Sequence, residues 1–217
     1  GKAVKQTGEL LKSRILDYAS FMLEKPIEAL DLEADHIVDR QTREQLLTME
    51  ALAMEAQYSR KRAEHISAEC SVDCKDNTFA TGACFAEVEV DIPLGKVKLL
   101  RLLNIHDSGK LINPALAKGQ VQGGMSMGIG YGLYEEALYN DKGRMLNDNL
   151  LDYKLPTAMD QCDLETAFIE LDDPTGPYGN KALGEPPAIP VAPAIRNAVL
   201  HATGVAFDSI PLVSQKL

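Results

Sequence analysis

The stretch that decides the fold is GACFAEVEVDI at residues 82–92, which a PLGK turn at residues 93–96 joins to the run VKLLRLLNI at residues 97–105. Side chains of the first run alternate between two faces, with Cys84, Ala86, Val88 and Val90 on one face and Phe85, Glu87, Glu89 and Asp91 on the other. A period of two is typical of a half-buried β-strand. Because proline and glycine lie in the short link between the two runs, the sequence predicts a β-hairpin.

Helical patterns lie on both sides of this hairpin. Apolar spacing predicts helices over residues 2–23, from Thr42 to about Ala56, from Asn113 to about Glu136, and over residues 190–201. Thr42 is the expected N-cap of the second helix, with Gln45 at the third position of a capping box. Further strands or hairpins are expected over residues 26–40, 65–70, 138–146, 164–171 and 210–213. Without an internal repeat, these elements predict one α+β unit in which mixed or antiparallel hairpins pack with helices.

The composition excludes several classes of protein. The chain has 217 residues, of which 45% are hydrophobic, and this share is too high for a disordered chain. Acidic residues outnumber basic ones by 32 to 22, which argues against nucleic acid or an anionic membrane surface as a partner. We find no apolar run of about 18 residues, the length that a membrane-spanning helix needs. These observations predict a cytoplasmic protein.

The four cysteines do not form a metal-binding pattern. Cys70 and Cys74 are separated by three residues, whereas redox pairs and ribbon-type zinc sites use a separation of two. Cys84 and Cys162 stand alone in the sequence. We therefore expect free thiols and no metal ligand among the residues of this chain.

A glycine-rich run, GQVQGGMSMGIGYG at residues 119–132, falls inside a predicted helix. Each glycine costs a helix about 1 kcal/mol relative to alanine, so some other interaction must offset the cost. The run is not a GxGxxG motif after a strand, and the chain contains no P-loop motif. Two interpretations stay open. The helix packs closely against another backbone, or its bare backbone and glutamine side chains approach a large planar or phosphorylated cofactor.

The segment NKALGEPP at residues 180–187 contains the best candidate for a general base, Glu185. Pro186 and Pro187 restrict the backbone after this glutamate, and its other neighbours are mostly apolar. A carboxylate in apolar surroundings has a raised pKa, which suits it to accept a proton near neutral pH. The alternative is an ordinary solvated surface charge.

The motif HDSG at residues 106–109 places a histidine, an aspartate and a serine side by side. A catalytic triad needs these residues to converge from different elements, so adjacent residues do not form one. We expect Asp107 to brace a turn instead.

Four motifs occur in a fixed order: GACFAEVEVD at residues 82–91, HDSGKLINP at residues 106–114, GQVQG at residues 119–123 and KALGEPP at residues 181–187. Together they resemble the C-terminal part of the molybdopterin-binding subunit of the xanthine dehydrogenase and aldehyde oxidase family, and in particular its bacterial xanthine dehydrogenase-like members. The resemblance covers residues 1–205. It implies that residues 1–217 are a partial domain, the C-terminal portion of a molybdenum cofactor-binding domain within a longer subunit.

The resemblance also implies an activity and a set of site residues. It implies the oxidative hydroxylation of a purine, a related N-heterocycle or an aldehyde, with water as the source of oxygen and a molybdopterin cofactor. By its position in the motif, Glu185 is the implied general base. Gln120 matches the glutamine that contacts the pterin, and Gly119 and Val121 flank it. Gly184 and Lys181 match motif positions whose role is local architecture.

The resemblance finally implies partners. These are the upstream part of the same subunit, iron–sulfur and flavin subunits or domains that carry [2Fe–2S] clusters and FAD, and a small-molecule substrate. The substrate-orienting residues of the family lie outside this chain, so we expect the isolated chain neither to hold the cofactor tightly nor to turn over. The alternative from another class is a non-catalytic scaffold or interaction remnant that keeps the fold without the cofactor.

Overall fold

The computed structural model describes residues 1–73 and 76–213. The chain divides into two compact units, Gly1–Lys75 and Asp76–Leu217. The prediction of a single unit is therefore wrong, because helices and strands cluster around two separate sets of buried apolar residues. The α+β class is confirmed. Cys74, expected to be a free thiol, lies outside the described residues.

The first unit combines two helices with a three-stranded antiparallel sheet. Its elements are α1 (Lys2–Leu23), β1 (Leu30–Glu33), β2 (His36–Asp39), β3 (Gln45–Thr48) and α2 (Met49–Tyr58), and the sheet has the order β1-β2-β3. The buried face of α1 carries Ile15, Leu16, Tyr18 and Ala19, which pack with Leu30, Ile37 and Leu52. The hairpin expected within residues 26–40 is confirmed by the pairing of β1 with β2.

Two predictions in the first unit are wrong. The second helix begins at Met49, with Thr48 as its N-cap, and not after Thr42. Asp39 explains the difference, because its carboxylate accepts the backbone N–H groups of residues 41 and 42 and closes a turn that returns the chain as β3. Gln45, expected in a capping box, consequently begins that strand. Residues 65–70 follow an irregular path and do not form the expected strand.

The second unit is built on a three-stranded mixed sheet. Its strands are β4 (Thr81–Asp91), β5 (Lys96–Asp107) and β6 (Asp163–Ile169), in the order β4-β5-β6. The strands β4 and β5 form the expected antiparallel hairpin, and β6 lies parallel to β5. The alternation read from residues 82–92 is confirmed, since Cys84, Ala86, Val88 and Val90 pack against the core and the side chains between them are exposed.

Two helices cover the core-facing side of this sheet. They are α3 (Pro114–Leu133), which links β5 to β6, and α4 (Val191–Thr203). Their buried side chains meet those of the sheet in one cluster that includes Leu102, Val121, Met125, Ile129, Val191 and Ile195. The side chain of Asn113 caps α3 by accepting the backbone N–H of Leu116 at 3.1 Å.

Some boundaries in the second unit differ from prediction. The helix α3 ends at Leu133 rather than near Glu136, because the backbone N–H groups of residues 134 and 135 both bind the carbonyl of Gly130. The hairpin expected over residues 138–146 is confirmed as a short one, with an antiparallel bridge between Tyr139 and Met145 and a backbone hydrogen bond from Leu146 to Leu138 at 2.7 Å. Residues 210–213 do not form the expected strand. The side chain of Leu212 instead packs in the apolar core of the second unit. In the described part of the chain, no helix has the length and apolar character needed to cross a membrane.

Candidate functional site

The glycines of α3 lie in two different environments. A Cβ atom added to Gly124 would lie 2.5 Å from the Cβ atom of Pro187, and one added to Gly128 would lie 2.4 Å from the Cβ atom of Val191. Real Cβ atoms do not approach other atoms this closely, so only glycine lets the helix contact residues 187–191 at this distance. The interpretation of the run as a helix that packs closely against another backbone is therefore confirmed for these two positions.

The other environment is an open surface near the N-terminus of α3. Gly119 and Gly123 are exposed, and among the described residues no atom outside the helix lies within 4 Å of the Cβ position of either. Gln120 lies beside them and is also exposed. Bare backbone next to a bifunctional amide leaves room for a large planar or phosphorylated group, so the second interpretation of the run stays a prediction at this end of the helix.

Two of the predicted site residues are joined by a hydrogen bond. The Nε2 atom of Gln120 donates to the carbonyl oxygen of Gly184 at 3.2 Å, across 64 residues of sequence. This bond brings the start of α3 next to the segment that carries Glu185. Val121 is different, because its side chain is fully buried in the core and does not reach the open surface.

The surroundings of Glu185 do not match the prediction. The glutamate is exposed, and so are Ala182 and Ile189, which were expected to enclose it. Its apolar sequence neighbours point to other places, among them the core, where Leu183 packs. The expectation that apolar side chains enclose the Glu185 carboxylate is therefore wrong within the described residues. The expected constraint on the backbone is present, since the N–H of Ala188 binds the carbonyl of Glu185 at 3.0 Å.

An ion pair fixes the beginning of this segment. The Nζ atom of Lys181 lies 2.6 Å from the Oδ2 atom of Asp107, and both side chains are largely buried, at 11% and 9% exposure. The ammonium group donates a hydrogen bond that holds the pKa of Asp107 below its usual range. The other carboxylate oxygen of Asp107 accepts the N–H of Gly109 at 3.0 Å, which confirms that Asp107 braces a turn.

Sequence reasoning missed Asn104, a polar residue on the core-facing side of β5. Its side chain is fully buried, and its Nδ2 atom donates to the carbonyl oxygen of Pro187 at 2.9 Å. His106, two positions further on, is also buried, and burial lowers its pKa. Its ring occupies the space beside Gly82, where an added Cβ would lie 2.6 Å from Nδ1. The available signal was the pair of polar residues at alternate, inward-facing positions of an otherwise apolar strand face.

The described ranges 1–73 and 76–213 contain no group of three or more His, Cys, Asp or Glu side chains placed to hold a metal ion. Cys70, Cys84 and Cys162 are free thiols. Burial raises the pKa of Cys84 to about 11, which keeps this thiol protonated at neutral pH.

The model of the molybdopterin cofactor-binding domain family matches residues 1–161 of this chain. The chain belongs to this family. The match includes Gly119, Gln120 and Val121 and ends before Glu185. The resemblance read from the four sequence motifs is thereby confirmed, and with it the molybdopterin cofactor of the family.

A curated relative extends the similarity over the rest of the chain. This molybdopterin cofactor-binding chain is 48% identical to the xanthine dehydrogenase molybdenum-binding subunit of Escherichia coli O157:H7 over 217 residues, which are 99% of the chain and 29% of that subunit. The chain thus spans less than a third of the length of the curated relatives it matches.

Solved structures show the same fold. Quinoline 2-oxidoreductase from Pseudomonas putida 86 superposes with a TM-score of 0.77 at 26% identity, over 96% of this chain and 28% of that chain. CO dehydrogenase from Oligotropha carboxidovorans superposes with a TM-score of 0.75 at 26% identity, over 97% of this chain and 27% of that chain.

Proposed function

We propose that this chain is part of a molybdenum hydroxylase that oxidises a purine or a related N-heterocycle, with water as the source of oxygen and Glu185 as general base. The observation that carries the proposal is the hydrogen bond from Gln120 to Gly184. The bond supports the proposal because it joins Gln120, implied to contact the pterin, to the residue immediately before Glu185, the implied base. The names of two similar proteins, a xanthine dehydrogenase subunit and a quinoline oxidoreductase, support a heterocyclic substrate.

The residues at the start of α3 fit the cofactor. Gln120 would offer its amide to the pterin, and the bare backbone at Gly119 and Gly123 would let a flat group lie close to the helix. Gly184, the acceptor of the Gln120 bond, would form the edge of the same surface. When bound, the molybdenum centre supplies the two-electron oxidation.

Glu185 would accept the proton that the water-derived oxygen loses as it bonds to the substrate carbon, and the two-electron oxidation supplied by the bound cofactor would account for the hydride that leaves this carbon. A general base must be shielded from bulk water to act on the substrate. The substrate and the remainder of the subunit would therefore have to enclose Glu185, which is exposed among the described residues. This requirement explains why we expect the isolated chain to be inactive.

The proposal includes an organisation and a set of partners. Residues 1–217 would be a partial molybdopterin-binding domain, completed by the upstream part of the same subunit. Iron–sulfur and flavin subunits would carry the electrons away, and the name of the curated relative as a subunit is consistent with such an assembly. The proposed location is cytoplasmic, and the excess of 32 acidic over 22 basic residues argues against nucleic acid or an anionic membrane surface as a partner.

The test is a measurement on the native assembly, purified through an affinity tag on this chain. We expect about one molybdenum per copy, with accompanying iron, and oxidation of xanthine or quinoline. Turnover in ¹⁸O-labelled water should place the label in the product. An assembly without molybdenum and without label incorporation would overturn the proposal and favour the non-catalytic scaffold.

A further inference from the structure

The Glu185 segment, residues 181–188, is held to strand β5 at both of its ends. We infer that Asn104 is a positioning residue that fixes where Glu185 stands, through its hydrogen bond to Pro187. The inference rests on the proposed function for the role of Glu185, and on the structure for the contact itself. Asn104 does not touch the substrate in this scheme, so it acts only through the backbone of the segment.

The contact at the far end of the segment is buried and short. Asn104 is fully buried, and its Nδ2 atom donates to the Pro187 carbonyl at 2.9 Å. Pro187 is also buried, and Gly124 on α3 leaves the space that its ring occupies. Pro187 is therefore enclosed between a hydrogen bond from the sheet and a close backbone approach from the helix. Because Pro187 lies two residues after Glu185, holding Pro187 in place restricts the backbone that follows the glutamate.

The near end of the segment is fixed by a different pair of contacts. The Lys181 ammonium binds Asp107, and the Lys181 backbone N–H donates to the carbonyl of Ser108 at 2.7 Å. Between the two ends, Gln120 binds the carbonyl of Gly184. At the Pro187 end the side-chain hydrogen bond comes from Asn104, whereas Lys181 at the near end is held by both its side chain and its backbone N–H.

The chemical character of Asn104 supports a specific role. Its Oδ1 atom is buried without a hydrogen-bond partner among the described residues, and such an atom is costly. Leu102, two positions earlier on the same face of β5, shows that an apolar side chain packs well in this row. An apolar residue at position 104 would remove the cost and would also remove the bond to Pro187. That bond is what the amide contributes.

The decisive variant is Asn104→Leu in the native assembly, because leucine is close to asparagine in size and has no hydrogen-bond donor, whereas a buried aspartic acid keeps an O–H donor when it is protonated. We expect kcat for xanthine to fall by about 10- to 100-fold, with KM and molybdenum content unchanged. Amide hydrogen exchange should become faster at Ala188, whose N–H binds the Glu185 carbonyl, and should stay slow at Lys181. The matched control is Gln122→Leu, which removes an amide bond of the same kind to the Leu164 carbonyl on β6 and should change none of these readouts at the Glu185 segment.

The outcomes separate this inference from the proposed function. Faster exchange at Ala188 together with a normal kcat would overturn the positioning role, as would unchanged exchange. If Glu185→Gln were fully active, the proposed base would be wrong, yet exchange at Ala188 in Asn104→Leu would still report the anchoring contact. Should Asn104→Leu fail to fold, Gly124→Ala displaces the same Pro187 from the helix side, and we expect it to lower kcat and speed exchange in the same way.

Discussion

The side-chain amide of Gln120 donates a 3.2 Å hydrogen bond to the backbone carbonyl of Gly184. The two residues belong to separate motifs, one at the start of α3 and one in the irregular segment before α4. The bond therefore joins the surface that we propose for the cofactor with the backbone position immediately before Glu185. A substitution that breaks this bond at either residue should therefore alter the backbone position of the other.

The first prediction concerns Glu185 itself. Replacing it with glutamine keeps the size of the side chain and removes the ability to accept a proton. We expect kcat to fall by about 10²- to 10⁴-fold while the molybdenum content of the assembly stays unchanged. Steady-state kinetics measures the fall in kcat, and metal analysis of the same preparation measures the molybdenum content. Glu89→Gln, which neutralises an exposed glutamate of β4, is the charge-matched control and should keep the normal rate.

The second prediction concerns the amide of Gln120. Gln120→Leu removes the bond to Gly184 and any contact to the pterin, while leucine preserves the helix. We expect the variant to be purified with less molybdenum per chain than the native protein. Gln122→Leu removes the comparable bond between α3 and β6 and should retain the metal. Equal molybdenum contents in the two variants would contradict the assignment of Gln120.

The hairpin of the second unit could be predicted because its signal is local. Polar and apolar side chains alternate from Cys84 to Val90, and this alternation predicts which face of the strand each residue occupies. The apolar face packs against the core, as the pattern predicts. The second helix of the chain was misplaced for a local reason too. A threonine followed three residues later by glutamine is typical of a helix start, yet Asp39 closes a turn at the same place and sends Gln45 into a strand.

The site was only partly predictable, because its geometry depends on distant contacts. Motif order predicted Gln120 and Glu185 as site residues, but the bond from Asn104 to Pro187 joins residues 83 positions apart. The polar residues at alternate positions of β5 indicate a buried polar side chain and do not indicate its partner. The surroundings of Glu185 were misjudged because apolar neighbours in sequence are not neighbours in space. Ile189, for example, is 70% exposed.

The third prediction follows from the ion pair between Lys181 and Asp107. Because the folded pKa of Asp107 is lowered, its ionised form stabilises the fold above the unfolded pKa of about 3.9, and this contribution is lost as the pH falls through the folded pKa. Asp107→Asn leaves the largely buried Lys181 ammonium unpaired. We expect it to lower the free energy of unfolding by about 3 kcal/mol at pH 7. The difference from the native protein should shrink as the pH falls below about 4.

Urea unfolding of the full chain at a series of pH values measures this difference. The double variant Asp107→Asn with Lys181→Met removes both charges, so it should be less unstable at pH 7 than the single variant Asp107→Asn. A stability loss in Asp107→Asn that is constant from pH 7 to pH 3 would show that the ion pair does not act through its charge.

The last prediction separates the two environments of the α3 glycines. Gly128→Ala places a Cβ atom 2.4 Å from the Val191 Cβ atom, so we expect a loss of stability of about 1–3 kcal/mol. Gly119→Ala enters open space and improves helix propensity, so the protein without cofactor should be up to about 1 kcal/mol more stable. The added methyl group of Gly119→Ala nevertheless lies on the surface proposed for the pterin. We therefore expect this variant to be more stable and yet to retain less molybdenum, as measured by urea unfolding and metal analysis. A Gly119→Ala protein with full molybdenum content would place the cofactor away from the start of α3.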